Sequence, residues 1–255
     1  WQSQLSGVDA IVHLAAKVHV LQARASDSNA FTGDNVTATL SLAEAAAKAC
    51  VKRFIFISTI GVHGNASDEP LDEYSPIHPA GLYAESKWQA EEALKSIDGL
   101  EIVCLRPPLI YGPGVKANFL SLLKGLRIGL PMPFRLIKAK RDYISVTNFC
   151  SAIAFVLEHP EAAGKTLQLC DGEALSTAEL IRRLAKHMHK PYCLWPFPRA
   201  LLKAAAKVLG RAPTFKSTCG PREIDDRKLR ALGWHPAESA DEGLRKTAEW
   251  FMNRN

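Results

Sequence analysis

A chain of 255 residues, 47% hydrophobic and 23% charged, has the ordinary composition of a soluble globular protein, with room for one large domain or two modest ones. No apolar run reaches the roughly 18 residues of a bilayer-spanning helix, so no stable membrane anchor is expected. The net charge of +6 is spread over several segments without a block of like charges, which argues against nucleic-acid binding, and no Cys-x-x-Cys or spaced His/Cys set argues for a metal site.

The first element in chain order is Val8–Leu14, an apolar strand followed by Ala15 and Ala16, small residues that let a ligand approach the backbone. Ser26–Ala49 reads as a helix, with Ser28 or Asp34 as its cap and Leu40, Ala43, Ala46 and Ala47 as its apolar face. His13 in the strand is expected to be structural. Phe54–Ile57 reads as a fully buried strand, ending in Ser58 and Thr59, with Gly61 and Gly64 beyond. A loop rich in Pro, Asp and Glu then leads to Tyr83-Ala-Glu-Ser-Lys87, which opens a helix through Leu94.

Tyr83 and Lys87 are four apart, so they share one helix face. A hydroxyl at the carboxyl end of a central strand faces the crevice in which open α/β sheets bind ligands. Thr59, Tyr83 and Lys87 together bring a hydroxyl, a phenol and an ammonium to one place. That set suits proton exchange with an alcohol whose carbon gives up or receives a hydride. A Lys near the Tyr is expected to draw the phenol toward neutral pH, and the Thr to hold the reacting oxygen.

Leu100–Arg106 reads as the next parallel strand, and Pro107-Pro108 must take the chain out of the sheet. Val115–Phe119 starts a helix, in which Asn118 can serve as a cap. In Lys140–Val146, Arg141 and Asp142 read as an exposed ion pair at a strand edge. Then follow a helix over Thr147–His159, a strand over Gly164–Cys170 and a helix to Lys190, opened by the capping box Ser176-Thr-Ala-Glu179. Trp195-Pro-Phe-Pro198 breaks the chain before Arg199–Leu209, an amphipathic helix that suits a membrane surface or, better, the roof of a substrate cleft. Ala240–Phe251 is the closing helix. The six cysteines sit mostly in apolar runs and are expected as buried free thiols; His187 and His189 are expected at the surface.

Several of these stretches resemble the extended short-chain dehydrogenase/reductases of the NAD-dependent epimerase/dehydratase type: Phe-Ile-Phe-Ile-Ser-Thr-Ile-Gly-Val-His-Gly64, Tyr83-x-x-x-Lys87, Arg106-Pro-x-x-x-Tyr-Gly-Pro-Gly114, Arg141-Asp-Tyr-Ile and the Leu-Gly-Trp234 ending. The resemblance implies a Rossmann-like parallel sheet in residues 1–113 and a smaller, mainly substrate-binding part in 114–255, some of which returns to the sheet. It implies catalysis by Thr59, Tyr83 and Lys87. NAD or NADP would lie against Leu14, Ala15, Ala16, Asn35, Tyr83, Lys87, Pro107 and Ile110. A UDP-sugar would be held by Thr59, Asn118 and Arg141. Asn35 matches an asparagine that bends the neighbouring helix in the family; otherwise it is a capping or surface residue. A homodimer and a bacterial cytoplasmic setting are also implied.

No Gly-x-x-Gly-x-x-Gly or Gly-x-Gly-x-x-Gly turn precedes Val8. The sheet is therefore expected to lack its first strands, as in an amino-terminally truncated member that would not hold the cofactor by itself. The resemblance favours a 4-epimerase or 4-keto-sugar reductase. Dehydratases of this type carry Asp-Glu after the Thr, whereas Ile60 and Gly61 stand here. A non-catalytic remnant is the first alternative. A hydroxysteroid-type dehydrogenase is the second, against which Asn118 and Arg141 speak.

Overall fold

The computed structural model describes residues 4–17, 32–208, 210 and 212–254. A four-stranded parallel sheet is made by β1 (Ala10–His13), β2 (Arg53–Ile57), β3 (Glu101–Arg106) and β7 (Thr166–Gln168), side by side in that order. Phe54 pairs with Ile11 on one side and Ile102 on the other, which fixes the register. Every residue of β2 is buried, as its unbroken apolar run requires of a strand covered on both faces. Its alternate side chains divide the core. Phe54 and Phe56 pack with Ala43, Ala46, Ala90 and Leu94, while Ile55 and Ile57 pack with Leu105, Phe149, Ala152 and Val156. Full burial of each such side chain is worth ~1.5–3 kcal/mol. Arg53, at the start of β2, is buried and satisfied by Glu101 and by the carbonyls of Val156, Leu157 and His159.

The first face is covered by α1 (Ala38–Lys48) and α2 (Leu82–Leu94). Residues 32–37, which precede α1, form a π-helical turn rather than the continuous α-helix expected from Ser26 onward, and Ser28 falls outside the described residues. Asp34 lies within that turn, and the residue at the amino end of α1 is Thr37.

The chain leaves the sheet at Pro107-Pro108. β4 (Leu109–Tyr111) then pairs with β6 (Tyr143–Ser145), and β5 (Lys140–Arg141) with β8 (Leu175–Ser176). A separate apolar cluster forms where α3 (Ala117–Arg127), α5 (Thr177–His187) and α9 (Ala240–Met252) meet: Phe119, Leu123, Ile181, Leu184, Leu244 and Phe251. The capping box of α5 is formed as the sequence indicates. Between these helices of the second part, α4 (Val146–Glu158) covers the other face of the sheet. Further along are α6 (Arg199–Val208), α7 (Ala212–Cys219), which the sequence reading missed, and the short α8 (Arg227–Ala231). All six cysteines are free, but only Cys104, Cys170 and Cys219 are buried. Cys50, Cys150 and Cys193 are exposed, because they fall at a helix end, on an outer helix face and in a loop, positions that an apolar run does not disclose.

Candidate active site

Thr59 follows β2 in extended conformation, half-buried at the carboxyl edge of the sheet. Backbone bonds from Ser58 N to Leu105 O (2.8 Å) and from Ile60 N to Pro107 O (3.0 Å) hold this exit against the end of β3. The Thr59 Oγ1 accepts from Gly61 N (3.1 Å) and so caps a 3-10 turn over Ile60–His63. The loop leading to α2 is strapped to the same turn by Ala80 N to Gly61 O (3.1 Å) and His78 N to Val62 O (2.9 Å). Gly61 is the point of closest approach. A Cβ there would sit 3.3 Å from Thr59 Oγ1 and 3.5 Å from the Cβ of Ala84, the neighbour of Tyr83. Gly81, with φ +90°, makes the sharp entry into α2 that glycine alone accepts without strain.

Lys87 is 2% exposed; its ammonium lies 4.5 Å from the centre of the Phe56 ring and donates no hydrogen bond among the described residues. Burial pulls its pKa down to about 8, against Glu91 and then Cys104, which hold it up. The Tyr83 phenol is half-buried, and burial pushes its pKa up. This corrects the expectation of a phenol drawn toward neutral pH: desolvation sets the direction, and the Lys87 charge is engaged by an aromatic face.

Asn35 is buried, at the π turn. Its Oδ1 accepts from Lys17 N (2.7 Å), and its Nδ2 donates to Lys17 O (3.1 Å) and Ser86 Oγ (3.0 Å). Ser86 in turn donates to Tyr83 O (2.9 Å). Asn35 thus ties the segment after β1 to the helix of Tyr83, and it is neither a cap nor a surface residue. In that segment Leu14 and Ala15 are exposed and Ala16 is half-buried. His13 is structural: its Nε2 bonds Thr39 Oγ1 (2.8 Å), whose own proton goes to Asn35 O (2.6 Å), so the ring is the donor. Burial, then Lys87, lowers its pKa to about 4.

A second buried network was not read from the sequence. Arg106, the last residue of β3, clamps Glu91 with Nε (3.1 Å) and Nη2 (2.5 Å). Its Nη1 bonds His63 Nε2 (2.9 Å), and His63 Nδ1 bonds Pro76 O (3.2 Å). All three side chains are buried. Glu91 is one turn beyond Lys87 and His63 is four residues beyond Thr59, so the network joins both halves of the site from below. The legible signal was a Glu at that helical spacing together with an Arg ending a buried strand.

In the second part of the chain, Arg141 is 3% exposed and makes no ion pair among the described residues. Its Nη1 donates to Gly220 O (2.7 Å), Asn65 O (3.3 Å) and Lys216 O (3.4 Å), and Asp142 accepts from Ile224 N (2.8 Å), so the expected exposed pair is absent. Arg222 is half-buried: its Nη1 donates to Gly64 O (3.4 Å), its Nε has no partner among the described residues, and burial of the guanidinium, then Arg141, lowers its pKa to about 9. The carbonyl-bearing residues Asn65, Lys216 and Gly220 line a cavity of about 840 Å³, which Arg199, Lys203 and Phe215 also border. A buried and a half-buried cation behind an open cavity bordered by three cationic residues and one carboxylate, Asp68, suit an anionic ligand.

Asn118 is exposed in the first turn of α3 and makes no capping bond. Ala117 before it has φ +52°, a strained value for a non-glycine residue. Pro107 is buried, its carbonyl taken by Ile60, while Ile110 pairs with Ile144 in β6 and packs on the apolar cluster beneath the sheet. Neither is joined to Thr59, Tyr83 or Lys87 by a side-chain contact described in this structure.

The chain is 34% identical over 262 residues to the UDP-glucose 4-epimerase of Vibrio cholerae, a match covering 98% of this chain and 79% of that protein. It is 27% identical over 266 residues to the N-acetyl-α-D-glucosaminyl-diphospho-ditrans,octacis-undecaprenol 4-epimerase of Escherichia coli O157:H7, covering 96% and 78%. Its fold matches that of the UDP-glucuronic acid 4-epimerase of Bacillus cereus, solved with NAD, at a TM-score of 0.78 and 21% identity over 98% of this chain and 76% of that one. With residues 2–170 matching the model of the NAD dependent epimerase/dehydratase family, the chain belongs to that enzyme family.

Proposed function

We propose that the protein acts at C4 of a UDP-hexose or UDP-N-acetylhexosamine, as a 4-epimerase or a 4-keto-sugar reductase using NAD or NADP. The observation that carries this reading is the clasp at Gly61, which sets the Thr59 hydroxyl beside the Tyr83 turn of α2 at the carboxyl edge of the sheet. The residues fit the nicotinamide-ribose half of a dinucleotide. Among the described residues the Lys87 ammonium donates no hydrogen bond and the buried Ser58 Oγ has no partner, and Leu14 and Ala15 stand open after β1. Leu14, Ala15, Ala16, Tyr83, Lys87, Pro107 and Ile110 are the proposed contacts, with Asn35 fixing Lys17 and Ser86 beside them. When bound, the cofactor supplies hydride chemistry at C4.

The chain's own residues handle the proton. Thr59 holds the C4 oxygen and Tyr83 exchanges its proton. Burial keeps the Tyr83 phenol protonated, and the unpaired Lys87 ammonium is the cation available to stabilise its phenolate. Arg141 and Arg222 provide positive charge for the diphosphate, and Asn118 provides an amide beside a strained turn. Ile60 and Gly61 carry no group able to transfer a proton, which favours these reactions over dehydration within the same family.

A second reading replaces the nucleotide with a polyprenyl diphosphate, the carrier named for the E. coli relative. It is favoured by α6, which borders the cavity with Arg199 and Lys203 and leaves an apolar stripe in the open. The test is a panel of UDP-hexoses, UDP-N-acetylhexosamines, their 4-keto forms and a polyprenyl-diphosphate hexosamine. Each is incubated with NAD(P)(H) and the protein expressed from its native gene. Conversion at C4 of a UDP-sugar supports the first reading. Conversion of the lipid-linked sugar alone supports the second, and turnover of none removes both.

A further inference from the structure

Charge in this protein is divided along the chain. Residues 180–222 hold ten of the 32 Lys and Arg residues and none of the 26 Asp and Glu residues. The rest of the chain, 22 basic against 26 acidic residues, is net negative by four. The same segment holds much of the exposed apolar surface. Five of the eleven large hydrophobic residues exposed among the described residues fall between Tyr192 and Val208: Tyr192, Trp195 (55%), Phe197, Leu201 (55%) and Val208 (86%).

The backbone explains how these residues are presented. Trp195 N bonds Met132 O (2.9 Å) and Arg135 N bonds Trp195 O (3.3 Å), so the Trp-Pro-Phe-Pro stretch lies along residues 130–136, where Leu130 and Leu136 are exposed too. In α6 no residue is fully buried. Leu202 and Ala206, the half-buried pair, mark the side toward the protein. Leu201, Ala204, Ala205 and Val208 stand at i, i+3, i+4 and i+7 and form one outward stripe. Arg199, Lys203 and Lys207, each four residues from the last, form a basic row along the same helix.

We propose that this face, Trp195–Phe197 with the outer stripe of α6, docks reversibly on a lipid surface bearing anionic headgroups. Aromatic residues and aliphatic side chains would enter the interface while the Lys and Arg row meets the headgroups. Charge complementarity selects the occupant. The segment brings ten cations and no carboxylate of its own; Asp68 beside Arg199 and Lys203, and Glu173 paired with Arg183, offset only part of that charge, so the segment is drawn to an anionic layer while the net-negative remainder is repelled by it, which orients the molecule. A helix of ten residues gives weak, salt-sensitive attachment rather than anchoring. The proposal needs no substrate assignment, so its failure and that of the C4 reading are separate events.

The test is co-sedimentation of the full chain with phosphatidylcholine vesicles, with and without added phosphatidylglycerol, for the wild type and for Leu201→Asp/Val208→Asp. Neither residue lines the cavity, and unchanged circular dichroism and thermal unfolding midpoint verify that the double variant is folded. The expected result is binding only to the anionic vesicles, reversed by high salt and reduced at least about tenfold in the double variant. Equal binding to both vesicles, binding to neither, or full binding by the folded double variant overturns the proposal. A wild-type dimer that the double substitution converts to monomer also overturns it, by assigning the stripe to a second copy of the chain.

Discussion

The floor of the candidate active site and the surface around α6 are built in opposite ways. Under Thr59, Tyr83 and Lys87, buried polar side chains are matched: Arg106 with Glu91 and His63, and Asn35 with the Lys17 backbone and the Ser86 hydroxyl. Around α6 the cations are exposed, no carboxylate lies nearby in sequence, and apolar side chains face outward. The first arrangement fixes distances between groups that must act together. The second leaves binding potential unspent until something anionic or apolar arrives. Proton transfer demands the former, because displacement of a catalytic group by about 1 Å can cost ~10²-fold in rate. Recognition of a mobile partner is served by the latter.

The strongest way to break this comparison is at the acid–base group. Tyr83→Phe is expected to lower kcat by ~10²–10⁴-fold while leaving UDP binding intact, measured by turnover and calorimetry. Near-normal turnover would take Tyr83 out of the chemistry and leave the floor a purely structural feature.

Next in size is the network beneath it. Arg106→Met leaves Glu91 buried without its partner and is expected to destabilise the fold by ~3–5 kcal/mol, read from urea denaturation midpoints. An equivalent change to an exposed pair, such as Lys95 with Glu92, should cost at most ~1 kcal/mol. Equal losses would erase the distinction between floor and surface.

The clasp itself is tested by Gly61→Val. The branched side chain must push between Thr59 and Ala84, so kcat should fall on the order of 10²-fold with a smaller change in stability. If instead stability collapses and the residual folded enzyme keeps its kcat, Gly61 is a packing residue only.

The smallest expected effect concerns His13. Its folded pKa is about 4 against an ordinary 6.5, so the unfolded chain takes up the proton first as pH falls. His13 therefore contributes stability that is full above pH 6.5 and lost as pH falls toward 4, by at most ~3 kcal/mol. Asp142, raised by burial to about 6, acts with the opposite sign, since its stability is lost as pH rises through that window. The informative quantity is the difference between wild type and His13→Gln at pH 7 and pH 5. The wild type should lose more stability on acidification, and parallel curves would deny His13 a buried neutral ring.

The sequence disclosed the floor unevenly. The buried strand Phe54–Ile57, the Tyr83/Lys87 spacing and the proline exit were legible because each is a local pattern with one physical cause. The partners of Arg141 were not, because Gly220, Asn65 and Lys216 reach it through carbonyls that carry no side-chain signature. Arg222 was missed for the same reason, its burial being set by tertiary packing. The pKa of Tyr83 was misjudged because sequence shows a neighbouring charge but not the desolvation that outweighs it. The π turn at Asn35 and the helix α7 also escaped periodicity. The uneven charge of residues 180–222 lay in plain view, but a search for blocks of adjacent like charges passes over cations spaced along several helices.

The measurement that tests the central claim most directly is the mass spectrum of the nucleotide-sugar product. Action at C4 by Thr59, Tyr83 and Lys87, with Ile60 and Gly61 unable to move a second proton, predicts two acceptable outcomes. The product of a UDP-sugar is isobaric with its substrate, or the product of a 4-keto sugar is heavier by two hydrogens. A product lighter by one water would show elimination at C6 and contradict the account.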